Sequence, residues 1–176
     1  MRKLMLAAFI SAFAFAGSLF AQMPTTVAVD EISGKEDGMG PYSKLLSEYV
    51  ITELAACNLV KVVGFDTVNN VKADQKIVDI RKADTATLNA LLGKLKANAI
   101  CIGSLSRIEG RSAKIEISVF KDGAYLERKA TGTMKSIEDA DETAKSLALQ
   151  LEAIIKGWPA PRPTVEGVPA PAPSSN

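Results

Sequence analysis

Apolar and polar positions change period several times along the chain, and each change marks an element. Thr26 to Ile32, Thr-Val-Ala-Val-Asp-Glu-Ile, is a short β-branched run that reads as a first strand. Gly34, Gly38, Gly40 and Pro41 follow it as a loop. Ser43 is placed to cap a helix in which Leu46, Val50, Leu54 and Cys57 fall on one stripe, with Leu45 and Tyr49 beside it. Asn58 stands where that helix can end. Leu59 to Phe65 is too short and too β-branched for another helix and reads as a second strand. A strand, helix, strand unit most often sets its strands parallel.

The period then fades: from Asp66 to Asp84, Val71, Ile77, Val78 and Ile80 are scattered among polar residues, with room for one short helix. Helical spacing returns at Asp84 or Thr85, with Leu88, Leu91, Leu92 and Leu95 inward. From Ala99 the period is two. Ile100, Ile102, Ser104, Ser106 and Ile108 take one face, and Cys101, Gly103, Leu105 and Arg107 the other. After the turn Glu109-Gly110-Arg111, Ala113, Ile115, Ile117 and Val119 alternate with Lys114, Glu116 and Ser118. Asp122-Gly123 is a type I′ turn signal, and Tyr125 to Met134 returns with Gly132 as a candidate bulge. Ser136-Ile137-Glu138-Asp139 then caps a last helix that carries Ala144, Leu147, Leu151 and Ile154 and ends at Gly157. The pattern predicts one α/β (α+β) domain over residues 22–157. Its mixed sheet of about five strands has an antiparallel C-terminal meander and a cover of amphipathic helices.

The two ends depart from this pattern. Residues 1–21 run from Arg2 and Lys3 through an apolar stretch to Ala21, the order of a secretory signal peptide cleaved near Ala21. The apolar stretch is short of the roughly 20 residues a spanning helix needs. Gln22 stands where a bacterial lipoprotein carries its lipid-bearing Cys, so no lipid anchor is expected. The expected location is therefore periplasmic or secreted. Residues 158–176 carry Pro159, Pro161, Pro163, Pro169, Pro171 and Pro173. Such a composition predicts an extended, disordered, proline-rich tail.

Composition narrows the chemistry. The formal charge of +1 over 176 residues gives no electrostatic case for nucleic acid as a partner. The sequence has no His, so the usual general base and the commonest zinc ligand are absent. No catalytic, cofactor-binding or metal-binding set emerges, and no cofactor is expected. An enzyme would have to work with carboxylates alone. The glycines at 34, 38 and 40 match neither GxGxxG nor a P-loop. Gly34, Asp37, Gly38 and Gly40 remain as a candidate binding loop, with Asp30, Glu31 and Glu36 adding carboxylates around the end of the first strand. Cys57 and Cys101 form a candidate disulfide for an oxidising compartment; the alternative is two buried thiols acting as small hydrophobes.

The element order contains the runs Ser43-Lys44-Leu45-Leu46-Ser47-Glu48-Tyr49-Val50 and Ala97-Asn98-Ala99-Ile100-Cys101-Ile102-Gly103-Ser104-Leu105. With these it resembles a group of bacterial envelope domains: the TolB amino-terminal domain, the curli-secretion proteins and the lipoprotein activators of penicillin-binding proteins. The likeness spans residues 26 to 156, and Asn98 occupies a place where the group carries an acid. The resemblance implies a non-enzymatic domain used for protein contacts in the cell envelope. The sequence shows no propeller repeats, so a full TolB is not expected. The expected function is an exported accessory protein that binds another envelope protein in cell-wall synthesis, secretion or appendage assembly. The rival is a peptidoglycan- or small-ligand-binding periplasmic protein.

Overall fold

The computed structural model describes residues 24–34, 39–57, 60–108 and 112–157. The expected leader, the tail, Asn58 and the turn at 109–111 lie outside these residues. Seven strands make one mixed sheet: β1 (Thr25–Val29), β2 (Ser33–Gly34), β3 (Val60–Val63), β4 (Ala99–Arg107), β5 (Ala113–Lys121), β6 (Ala124–Tyr125) and β7 (Ala130–Met134). The spatial order is β3-β1-β4-β5-β6, with β2 also on β4 and β7 also on β5. The two-residue strands therefore share rows with longer ones, and five rows result, the number the sequence predicts. β1 runs parallel to β3 and β4, whereas β5 runs antiparallel to β4 and to β7.

Among the described residues four α-helices cover the sheet on both faces. On one face α1 (Gly40–Ala56) and α4 (Ala140–Lys156) lie over Val27, Val29, Cys101, Ile115, Ile117 and Val119. On the other, α2 (Phe65–Asp74) and α3 (Thr85–Leu95) lie over Ala28, Ile100, Ile102 and Phe120. Period two in β4 thus divides its side chains between two cores, as expected for a strand buried on both faces. Leu46, Val50 and Leu54 of α1, Leu88 and Leu91 of α3, and Leu147 and Leu151 of α4 are fully buried. Each such side chain contributes about 1.5–3 kcal/mol of burial.

Local chemistry explains most boundaries. Asp84 accepts the Thr87 N–H at 2.8 Å and caps α3. Ser136 and Asp139 form a capping box that leads into α4, and Gly157 closes it at φ +70°. Asp122 and Gly123 both have positive φ, as a type I′ turn requires. Three expectations are corrected. Pro41, pre-set for a first helical turn, starts α1 at Gly40, so Ser43 is not its cap but lies inside the helix, buried, donating to Met39 O at 3.0 Å. Phe65, read as the end of the second strand, instead opens the ten-residue α2, the short helix for which the faint stretch has room, and a 3₁₀ turn follows at Ile80–Lys82. Gly132 is no bulge. It pairs regularly with Ile115, and a Cβ there would lie 3.2 Å from Thr143 Cγ2 of α4.

Three side chains engage main-chain groups in or next to the strands. Asn98 Oδ1 accepts the Thr26 N–H at 2.9 Å while the Asn98 N–H donates to Thr26 O at 2.8 Å, which starts the parallel β1–β4 pairing. On the outer edge of β7, Gln150 of α4 engages Thr131, and Asp139 accepts the Lys135 N–H at 3.1 Å.

Candidate binding crevice at the carboxyl ends of the parallel strands

From β1 the chain crosses through α1 to β3 on one side, then returns through α2 and α3 to β4 on the other. Strand order therefore reverses at β1, and in open α/β sheets ligands bind outside the carboxyl ends of the strands at such a point. A crevice of about 350 Å³ opens there, lined by Asp30, Glu31, Ser33, Gly34, Gly40, Ser43, Lys72 and the turn Val78–Arg81.

A break between β1 and β2 creates it. After Val29 the chain leaves the ladder: the Asp30 N–H still reaches Cys101 O at 3.0 Å, but the Ile32 N–H turns to Ser47 Oγ of α1 at 2.9 Å. Ile32 folds over β4, and a Cβ at Gly103 would lie 2.7 Å from Ile32 Cγ1. That contact is why β4 needs glycine at 103. Pairing resumes at Ser33 and Gly34 against Ser104 and Leu105.

The wall is charged. Asp30 and Lys72 form an ion pair at 2.8 Å with side chains only 7% and 15% exposed, and Lys72 also donates to Asn69 Oδ1 at 3.1 Å. Asp79 takes both the Nε and the Nη2 of Arg81, at 2.9 and 3.1 Å. The hydrogen bond from the Arg81 side chain holds the Asp79 carboxyl below its usual range, and the same bond raises Arg81. Both hydroxyls are engaged: Ser33 donates to Gly103 O at 3.4 Å, and Ser43 to Met39 O. Two of the wall's carboxylates are thus paired with cations and both hydroxyls already donate, while Glu31 has no ion-pair partner among the described residues. Among the described residues no three metal-capable side chains converge.

Of the candidate loop, Gly34 and Gly40 line the crevice, while Asp37 and Gly38 lie outside the described residues. Asp30 and Glu31, read as carboxylates at the end of the first strand, are also in the wall. Lys72 and Arg81 were missed; the spacing of Lys72 four residues after the buried Val68 was their one local signal. Cys57 and Cys101 are free thiols in this structure. Cys101 is buried in β4, and burial pushes its pKa up to about 12. Cys57, at the end of α1, is half-buried and is raised first by burial, then by Glu152.

Arg81 also borders a second hollow of about 400 Å³ over the uncovered part of β4 and β5, with Ser104, Glu116, Ser118, Tyr125 and Lys129. No helix among the described residues is long and apolar enough to cross a membrane.

Neither a protein-family model nor a curated protein matches the chain. Solved structures do. The LpoB C-terminal domain from Salmonella enterica superposes with a TM-score of 0.51 at 11% identity, covering 66% of this chain and 87% of that one. The hypothetical protein CT253 from Chlamydia trachomatis superposes with a TM-score of 0.50 at 11% identity, covering 76% and 97%. At such identities the likeness is one of fold.

Proposed function

We propose that this chain is an exported, non-enzymatic accessory protein that binds another protein of the bacterial cell envelope. In this reading residues 1–21 are a leader removed near Ala21, residues 22–157 form the working domain, and the proline-rich segment 158–176 is an appendage. The observation that carries the reading is the fold shared with the LpoB C-terminal domain over most of that domain's length. It agrees with the sequence resemblance to activators of penicillin-binding proteins. The test is affinity capture of the tagged mature chain from envelope extract at several salt concentrations. One protein recovered at stoichiometric yield is expected, and recovery of none overturns the reading.

A second reading is favoured by the position of Gly34 and Gly40 in the crevice at the strand-order reversal. There the domain binds a cell-wall fragment or small ligand. Sedimentation with purified peptidoglycan tests it, and full recovery in the supernatant excludes the cell-wall version.

A further inference from the structure

The sheet has two edges, and they are finished differently. On β7 the N–H and C=O of Thr131 are both occupied by Gln150, and just past the end of the strand the Lys135 N–H is occupied by Asp139. Those side chains stand where an added strand would have to lie, which is how natural sheets close an edge. On β3 no side chain of the described residues does this.

The direction of the β3 main chain follows from that of its neighbour. Thr26 turns its N–H and C=O toward Asn98 and β4, so Thr25 and Val27 face β3. In a parallel ladder these engage Lys61 and Val63, leaving Val60 and Val62 to face outward. The Val60 N–H is used by Cys57 O at 3.1 Å. Among the described residues nothing engages the Val60 carbonyl or either main-chain group of Val62, and these form the edge. Lys61 is exposed between them and makes no ion pair among the described residues.

We infer that β3 is the docking edge for the envelope partner, which adds an extended segment beside Val60–Val63 with an Asp or Glu opposite Lys61. This inference rests on the protein-binding reading above. Main-chain bonds to Val60 and Val62 supply the affinity of such strand addition, and side chains on alternate positions supply the choice of partner. Charge decides between occupants. A second copy using both Val60 and Val62 in antiparallel register sets Lys61 directly against Lys61, and like charges directly opposite destabilise a pair. An acidic segment meets the same lysine as a counter-ion.

The test is zero-length carbodiimide coupling of the full mature chain in envelope extract, with the coupled peptides mapped by mass spectrometry. Coupling of the Lys61 amine to an acidic residue of another envelope protein is expected. Val62→Pro removes an N–H that the fold does not use and is expected to abolish that coupling while leaving the circular dichroism spectrum and the couplings of Lys114 and Lys145 unchanged. Lys61→Glu, at an exposed position, gives an independent answer should Val62→Pro unfold. It is expected to lower partner recovery by about tenfold, the equivalent of about 1.4 kcal/mol. Coupling of Lys61 to a second copy or to Glu166 of the chain itself overturns the inference, as does coupling of a partner elsewhere with Lys61 untouched. Absence of any coupled or captured protein overturns the functional reading as well.

Discussion

Gln150 and Thr131 exchange two hydrogen bonds: the Thr131 N–H donates to Gln150 Oε1, and Gln150 Nε2 donates to Thr131 O, each at 3.0 Å. A primary amide presents one acceptor and one donor in the geometry of a peptide unit, so a residue of α4 imitates the strand that β7 lacks. Gln150→Ala removes both bonds and leaves the edge open. We predict a loss of about 1 kcal/mol, faster amide exchange at Thr131, and concentration-dependent self-association in sedimentation velocity. Gln150→Ala remaining monomeric with unchanged exchange at Thr131 contradicts the capping role.

Asn98 does for β1 what Gln150 does for β7. Its Oδ1 takes the Thr26 N–H, and that bond requires an acceptor, not an amide. Asn98→Asp keeps the acceptor. The expected outcome is near-equal melting temperatures for wild type and Asn98→Asp, with Asn98→Ala lower by the equivalent of about 1 kcal/mol. Equal losses in both variants would show that the side-chain acceptor is irrelevant.

Where one period persists, the sequence determines the element. Alternation along Ala99–Arg107 and Ala113–Lys121 places the buried side chains of β4 and β5 except Phe120, which is fully buried on the otherwise polar face of β5, and the leucine spacing of α3 places its own. α2 was faint because only Phe65 and Val68 of its ten residues are buried. The start of α1 was misplaced because Ser43 looks like a cap, yet Pro41 had already set the first turn. The crevice was half legible: Gly34, Gly40, Asp30 and Glu31 sit beside a recognisable strand end. Lys72 and Arg81 come from the faint stretch, and their charges are satisfied by partners distant or irregular in sequence, which no hydropathy period encodes.

The Asp30–Lys72 pair joins β1 to α2 at the crevice wall and is nearly removed from water. Removing one member leaves the other buried and uncompensated, which costs about 3–5 kcal/mol for pairs of this kind. We predict that Asp30→Ala lowers stability in urea by that order, and that Asp30→Asn with Lys72→Met recovers most of the loss. Chemical denaturation of the three proteins checks it. A double variant no better than Asp30→Ala would show that the pair acts through contacts other than charge compensation.

Cys101 makes the fold sensitive to alkali. Its thiol is wholly buried in β4, and burial raises its pKa from the ordinary 9.0 to about 12. The unfolded chain therefore loses this proton before the folded chain does. Stability contributed by the neutral buried thiol is complete below about pH 9 and falls as pH rises toward 12, with a limiting slope of about 1.4 kcal/mol per pH unit. Cys101→Ala removes the group, with a cavity cost that does not depend on pH. Urea midpoints of the two proteins should converge from about pH 8.5 to about pH 10.5, whereas curves that stay parallel refute the assignment. The same burial should leave Cys101 unmodified by iodoacetamide in the native protein while the half-buried Cys57 reacts slowly, and both should react in urea without prior reduction.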